Sequence, residues 1–103
     1  MEKVILGSTN LQVSSLCFGV MTFGAQADRD MASQLYNRCR EAGINFFDCA
    51  DVYSNGNSEV FLGECIKGER DKVIITSKTG GRMWEGDDGA GLSRAHIIPA
   101  CEN

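Results

Sequence analysis

The sequence predicts an α/β chain: a short hairpin, then parallel strands joined through helices. Apolar runs at 4–6, 11–14, 16–19, 44–48 and 73–77 have the length of strands and are bounded by turn-forming residues. Between the later runs lie two segments of helical character, 29–42 and 58–67, each entered through a capping residue and left through a glycine. The alternation, a hairpin and then β-α-β-α-β, signals a parallel sheet with right-handed crossovers.

Val4-Ile5-Leu6 and Leu11-Gln12-Val13 flank the turn Gly7-Ser8-Thr9-Asn10 and read as a hairpin. Leu16-Cys17-Phe18-Gly19 follows as a strand ending in glycine, and Gly19 to Phe23 as the loop that leaves it. Asp28 can cap a helix running to Ala42, with Asp30 in its positive first turn. Met31, Leu35, Cys39 and Ala42 are its expected apolar stripe, and Gly43 its stop. The next strand carries Ile44, Phe46 and Phe47 into Asp48, and a loop then reaches Tyr53. Asn57 or Ser58 caps a second helix whose Phe61, Leu62, Cys65 and Ile66 face inward and which Gly68 ends. Glu69 to Lys72 read as a solvated turn, and Val73-Ile74-Ile75-Thr76-Ser77 as the strand that delivers Lys78. Residues 79–92 are a glycine-rich loop, in which Trp84 either lines a substrate pocket or covers a bare core edge. Ser93 can cap a last helix, although Pro99 at its sixth position costs about 3 kcal/mol. His96, the only histidine, reads as a surface residue in the first turn of that helix.

Two strands thus end on ionisable residues of opposite sign. If they are parallel neighbours, their C-terminal ends lie about 5 Å apart, and Asp48 can pair with Lys78 at the sheet rim where ligands bind in such folds. A phenol ionises near pH 10 and is a poor acid at neutrality. A neighbouring ammonium favours the phenolate, and a carboxylate holds that ammonium charged and in place. Tyr53 would then be able to give a proton to a carbonyl oxygen as it becomes negative. Each residue alone has an ordinary explanation: a turn aspartate, a solvated lysine, a packed tyrosine. Asp51 is expected to bond the loop backbone.

F-F-D-C-A-D-V-Y-S-N-G-N-S-E (46–59) and I-I-T-S-K-T-G (74–80) resemble the signature segments of the aldo-keto reductases. The opening L-G-S-T-N-L-Q-V-S-S-L-C-F-G-V-M-T-F-G (6–24) and the late G-L-S-R-A-H-I-I (91–98) are similar to that family as well, in order and at the expected spacing. The resemblance implies a partial TIM (β/α)₈ barrel made of the hairpin and about three parallel β/α units. It implies reduction of a small carbonyl substrate by NADPH, with Asp48, Tyr53 and Lys78 as three members of a catalytic tetrad. Gly19, Val20, Met21 and Asp48 would meet the cofactor, and Phe23 and Trp84 the substrate. Cys49 stands where the motif more often has threonine. His96 does not match the tetrad histidine, which in the family follows the next strand. The family's grip on the cofactor's adenosine phosphate lies near its last strands.

At 103 residues the chain has room for one domain of ordinary globular composition, whereas a complete barrel needs roughly 250 residues. The isolated chain is therefore expected to be marginally folded and inactive. A net charge of −4 without a Lys/Arg block argues against nucleic acid and anionic membrane surfaces. Five cysteines without a C-x-x-C pair make neither a disulfide frame nor a metal site and suit a reducing cytoplasm. Residues 4–27 are uncharged and end in Ala25-Gln26-Ala27, but Ser8, Thr9, Asn10, Gln12, Ser14 and Ser15 interrupt them, so no secretory leader is expected. No run approaches the ~20 apolar residues of a membrane span. G-x-G-x-x-G after a strand and G-K-[ST] are both missing. Three function classes stay open: a reductase, a cofactor-binding regulatory module like the channel-associated β subunits of this fold, and a truncated product without activity of its own.

Overall fold

The computed structural model describes residues 1–103. In chain order the elements are β1 (Lys3–Ile5), β2 (Gln12–Ser14), β3 (Phe18–Gly19), α1 (Arg29–Glu41), β4 (Phe46–Asp48), α2 (Asn57–Cys65), β5 (Ile74–Thr76) and α3 (Arg94–Glu102). β1 and β2 pair antiparallel, and β3-β4-β5 form a parallel sheet in sequential order. The expected strands and helices are all present, most of the strands shorter by one or two residues.

Strand alternation separates core from site. Phe47 in β4 is fully buried, its ring 5.0 Å from Tyr36 of α1 and 6.4 Å from Phe18 of β3. Its neighbour Asp48 points to the opposite face. Val20, Phe23, Ala27, Ala32, Cys39, Cys49, Leu62 and Val73 complete the core between sheet and helices. Asp28 caps α1 as expected, accepting the Met31 N–H at 2.9 Å. Gly43 leaves the helix with φ +89°, a conformation costly for any residue with a Cβ.

The stripe of α1 is turned by one residue from the expected one. Ala32, Tyr36 and Cys39 are buried, while Met31 is exposed. Tyr36 brings in an aromatic ring because its hydroxyl has a partner at the core edge, the Glu69 carboxylate, which also accepts from Arg40 Nε at 2.8 Å. Glu69 is thus no solvated turn residue; the Tyr36 hydroxyl and then Arg40 hold its carboxyl below the usual range. α2 is not capped by Asn57 or Ser58. Its N-cap is Gly56 at φ +95°, and the Ser58 hydroxyl instead donates to the Val20 carbonyl at 2.6 Å.

The hairpin docks at the N-terminal end of β4, opposite the strand ends that carry Asp48. Asn45 Oδ1 accepts the buried Ser14 N–H at 2.7 Å, and Asn45 Nδ2 donates to the Gln12 carbonyl at 3.0 Å. One side chain satisfies a donor and an acceptor of β2, which also settles its amide orientation. Asn45→Ala leaves the Ser14 N–H buried and unpaired, and a loss of about 1–3 kcal/mol is expected, read as a lower urea midpoint.

α3 starts at the expected cap, Ser93, and continues through Pro99, with Asn103 N–H bonding the Pro99 carbonyl at 3.0 Å. The proline deprives the Ala95 carbonyl of its helical donor without ending the helix. His96 is the largest departure from expectation: it is fully buried. Its Nδ1 lies 2.6 Å from the Asp88 carbonyl, its Nε2 3.2 Å from the Thr79 hydroxyl, and Trp84 stacks on it at 4.9 Å. A carbonyl can only accept, so Nδ1 carries a proton. The loop 79–92 folds over it around Gly89, where a Cβ would sit 1.7 Å from the Trp84 carbonyl oxygen.

Candidate functional site

The parallel register puts Gly19, Asp48 and Thr76 in one row across β3, β4 and β5. Residues two apart on a strand share a face, so Lys78, just beyond β5, returns to the side of Thr76 and Asp48. Lys78 Nζ lies 2.8 Å from Asp48 Oδ2, 2.6 Å from the Cys49 carbonyl and 3.2 Å from the Tyr53 hydroxyl. The three N–H bonds of the ammonium are therefore all used. Thr76 Oγ1 lies 2.6 Å from Asp48 Oδ1, so each oxygen of the carboxylate has its own donor.

Tyr53 is delivered by a strained turn. Ser54 and Asn55 adopt φ +50° and +52°, left-handed for non-glycine residues, at a cost of about 1–3 kcal/mol each. The Asp51 N–H bonds the Lys78 carbonyl at 3.1 Å, and the Cys49 N–H the Thr76 carbonyl at 2.8 Å. These bonds tie the two strand-end loops together.

The Lys78 ammonium beside it, and then the Thr76 hydroxyl, hold the Asp48 carboxyl below its usual range. Asp48, followed by the Tyr53 oxygen, holds Lys78 above the usual lysine value. The stabilisation from Asp48 is present above the ordinary carboxylate pKa and is lost as pH falls through its depressed folded value. That from Lys78 is present below the ordinary lysine pKa and is lost as pH rises through its elevated folded value. The pair is expected to stay closed across neutral pH and to open in acid, seen as movement of the Lys78 side-chain NMR signals together with the Asp48 titration. Both side chains are substantially exposed, 50% and 35%, so solvent screening keeps the contribution to stability small.

The other expected site residues divide. Gly19 is exposed beside Asp48, and Met21, two residues further on, is 61% exposed. Val20 offers nothing to a ligand: its side chain is fully buried, its N–H bonds the Asp48 carbonyl, and its own carbonyl accepts from Ser58 and Phe23. Phe23 is likewise a core residue with no exposed surface, 6.3 Å from Phe18. Trp84 covers His96 rather than standing in the Asp48–Lys78–Tyr53 cluster. Asp51 does not bond the loop through its carboxylate, whose two oxygens are buried without a hydrogen-bond partner in the chain. Cys49 is buried 3.5 Å from the Ser58 hydroxyl, and burial pushes its thiol up, so it is no nucleophile. No helix is long and apolar enough to cross a membrane.

A sequential parallel sheet with a lysine, a carboxylate and a phenol joined at its C-terminal rim defines the class of site. The aldo/keto reductase family model matches residues 15–103, and the chain belongs to that family. It is 41% identical over 104 residues to a protein of Oryza sativa subsp. japonica named a probable voltage-gated potassium channel subunit beta. A protein of the same name from Arabidopsis thaliana is also 41% identical over 104 residues, and each match covers 95% of this chain and 31% of the relative. Among solved structures, aldo-keto reductase AKR11C1 from Bacillus halodurans in its holo form matches 99% of this chain with a TM-score of 0.85 and 38% identity. The match covers 34% of that protein, so the chain spans about a third of the length of these relatives.

Proposed function

We propose that residues 1–103 form the first three β/α units of an aldo-keto reductase barrel that reduces small aldehydes or ketones to alcohols with NADPH, Tyr53 giving the proton. The observation that carries this reading is the direction of the hydrogen bonds around Lys78. The ammonium has only donors, so at 3.2 Å the Tyr53 oxygen accepts from it. The phenolic proton is therefore free to point away, toward a substrate oxygen. As Tyr53 gives that proton, the charge left on its oxygen develops against an ammonium already oriented by Asp48 and the Cys49 carbonyl. Such preorganised charge is worth most where charge appears during reaction.

The residues present fit a nicotinamide ring. A Cβ on Gly19 would meet nothing within 4 Å, which leaves an open approach to the strand end beside Asp48. Gly19, Met21 and the accessible edge of Asp48 would hold the ring end of the cofactor. NADPH, when bound, supplies the hydride. The five free thiols suit the reducing cytoplasm in which this reading puts the protein.

The identity to two plant proteins named as potassium channel β subunits favours one second reading, a cofactor-binding module that regulates a partner. Both readings are tested in a chimera in which residues 1–103 are followed by the remaining units of the Bacillus halodurans reductase. NADPH binding is read by fluorescence and turnover by consumption of NADPH with a reactive aldehyde. Binding with turnover supports the reductase, binding without turnover supports the module, and loss of both sinks the reading.

A further inference from the structure

We infer that Thr76 is a positioning residue of the site, its hydroxyl fixing the rotation of the Asp48 carboxylate so that one oxygen always faces Lys78. For turnover the inference rests on the proposed function; for the carboxylate itself it does not.

One contact alone would hold Asp48 poorly. Rotation about the terminal bond of an aspartate is broad, and a lysine on a four-carbon stem can follow either oxygen. One ion pair therefore leaves the carboxylate free to turn. A second donor on the other oxygen removes that freedom. Thr76 supplies it: Oγ1 lies 2.6 Å from Oδ1, while Lys78 Nζ lies 2.8 Å from Oδ2. The donor is itself rigid, because threonine is β-branched and stiff at χ1. It also sits on a strand directly in register with Asp48, whereas Lys78 lies beyond the strand end.

A β-branched residue in a strand has an ordinary explanation in strand preference. Valine would serve that preference equally well, so only the hydroxyl separates the two accounts. Three other titratable groups bear on the carboxylate. Lys78 approaches from beyond β5, and Tyr53 from the loop after β4 through its contact with Lys78. Cys17, before β3, has a thiol that feels both Asp48 and Lys78. None of the three reaches Oδ1. The Thr76 hydroxyl is the second cause, after Lys78, of the lowered Asp48 carboxyl.

The test follows the Asp48 carboxyl carbon by ¹³C NMR across a pH titration of the protein, with Thr76→Val and Thr76→Ser beside it. Thr76→Val is expected to raise the Asp48 midpoint, and Thr76→Ser, which keeps the hydroxyl, to restore it. In the chimera, Thr76→Val should lower kcat about tenfold and move the acid limb of the pH profile upward, again with rescue by serine. An unchanged Asp48 midpoint in Thr76→Val, or no rescue by Thr76→Ser, overturns the inference. If Thr76→Val does not fold, unsubstituted protein still decides. A through-hydrogen-bond coupling between the Thr76 hydroxyl proton and the Asp48 carboxyl carbon is then expected, and its absence would overturn the inference. Turnover that survives Tyr53→Phe would sink the proposed function while leaving the Asp48 titration result standing.

Discussion

Tyr53→Phe in the chimera is expected to lower kcat for a reactive aldehyde by about 10²–10⁴ while leaving NADPH affinity largely unchanged. The substitution removes one oxygen and keeps the ring, which packs against the core. What is lost is the only hydroxyl bonded to the Lys78 ammonium, 3.2 Å away. Phenylalanine can neither give a proton to a nascent alkoxide nor place charge beside that ammonium. Because the loss falls on the step where charge develops, it appears in kcat rather than in cofactor binding. Stopped-flow and steady-state consumption of NADPH, with binding followed separately by fluorescence, check it. A fall smaller than tenfold would mean that another group protonates the substrate.

The 103-residue chain by itself is expected to show no measurable carbonyl reduction. Both outer strands of its three-stranded sheet, β3 and β5, have a free edge. Exposed apolar side chains stand along the hairpin, the loops and the helices, among them Ile5, Leu16, Met21, Val60, Leu92 and Ile98. Free sheet edges and exposed apolar surface favour self-association over a stable monomer. On the proposed reading the site also lacks a group to orient the substrate. His96, the one histidine, is enclosed by Trp84, Thr79 and the Asp88 carbonyl and cannot orient a substrate. On the same reading, the binding energy that places the hydride is expected from groups beyond the row of Gly19, Asp48 and Thr76. Steady NADPH consumption by the isolated chain, abolished by Tyr53→Phe, would overturn this expectation and make these residues a minimal reductase. Size-exclusion chromatography and urea unfolding test the self-association and the low stability directly.

What the sequence determined by itself were the features set within a few residues. Asp28 and Ser93 cap their helices through bonds that reach three residues ahead. Gly43 and Gly68 end helices because a positive φ is cheap only without a Cβ. The order of strands and the meeting of Asp48 with Lys78 were legible because period-two alternation and parallel crossovers leave little choice of topology. The tertiary structure decided whatever depends on a partner far along the chain. Glu69 serves Tyr36 and Arg40, 33 and 29 residues away, so its turn looked merely solvated. His96 is buried because the loop 79–92 closes over it. Val20 and Phe23 sit in a loop that the Ser58 hydroxyl, 38 residues on, ties to α2, and both side chains were drawn into the core. Thr76 reads in the sequence as one more strand former, and only the register of β4 against β5 sets its hydroxyl on Asp48. Local hydrogen bonds and backbone sterics are written in neighbouring residues. The burial of a polar group depends on whether packing brings it a partner, and that packing is a property of the whole fold.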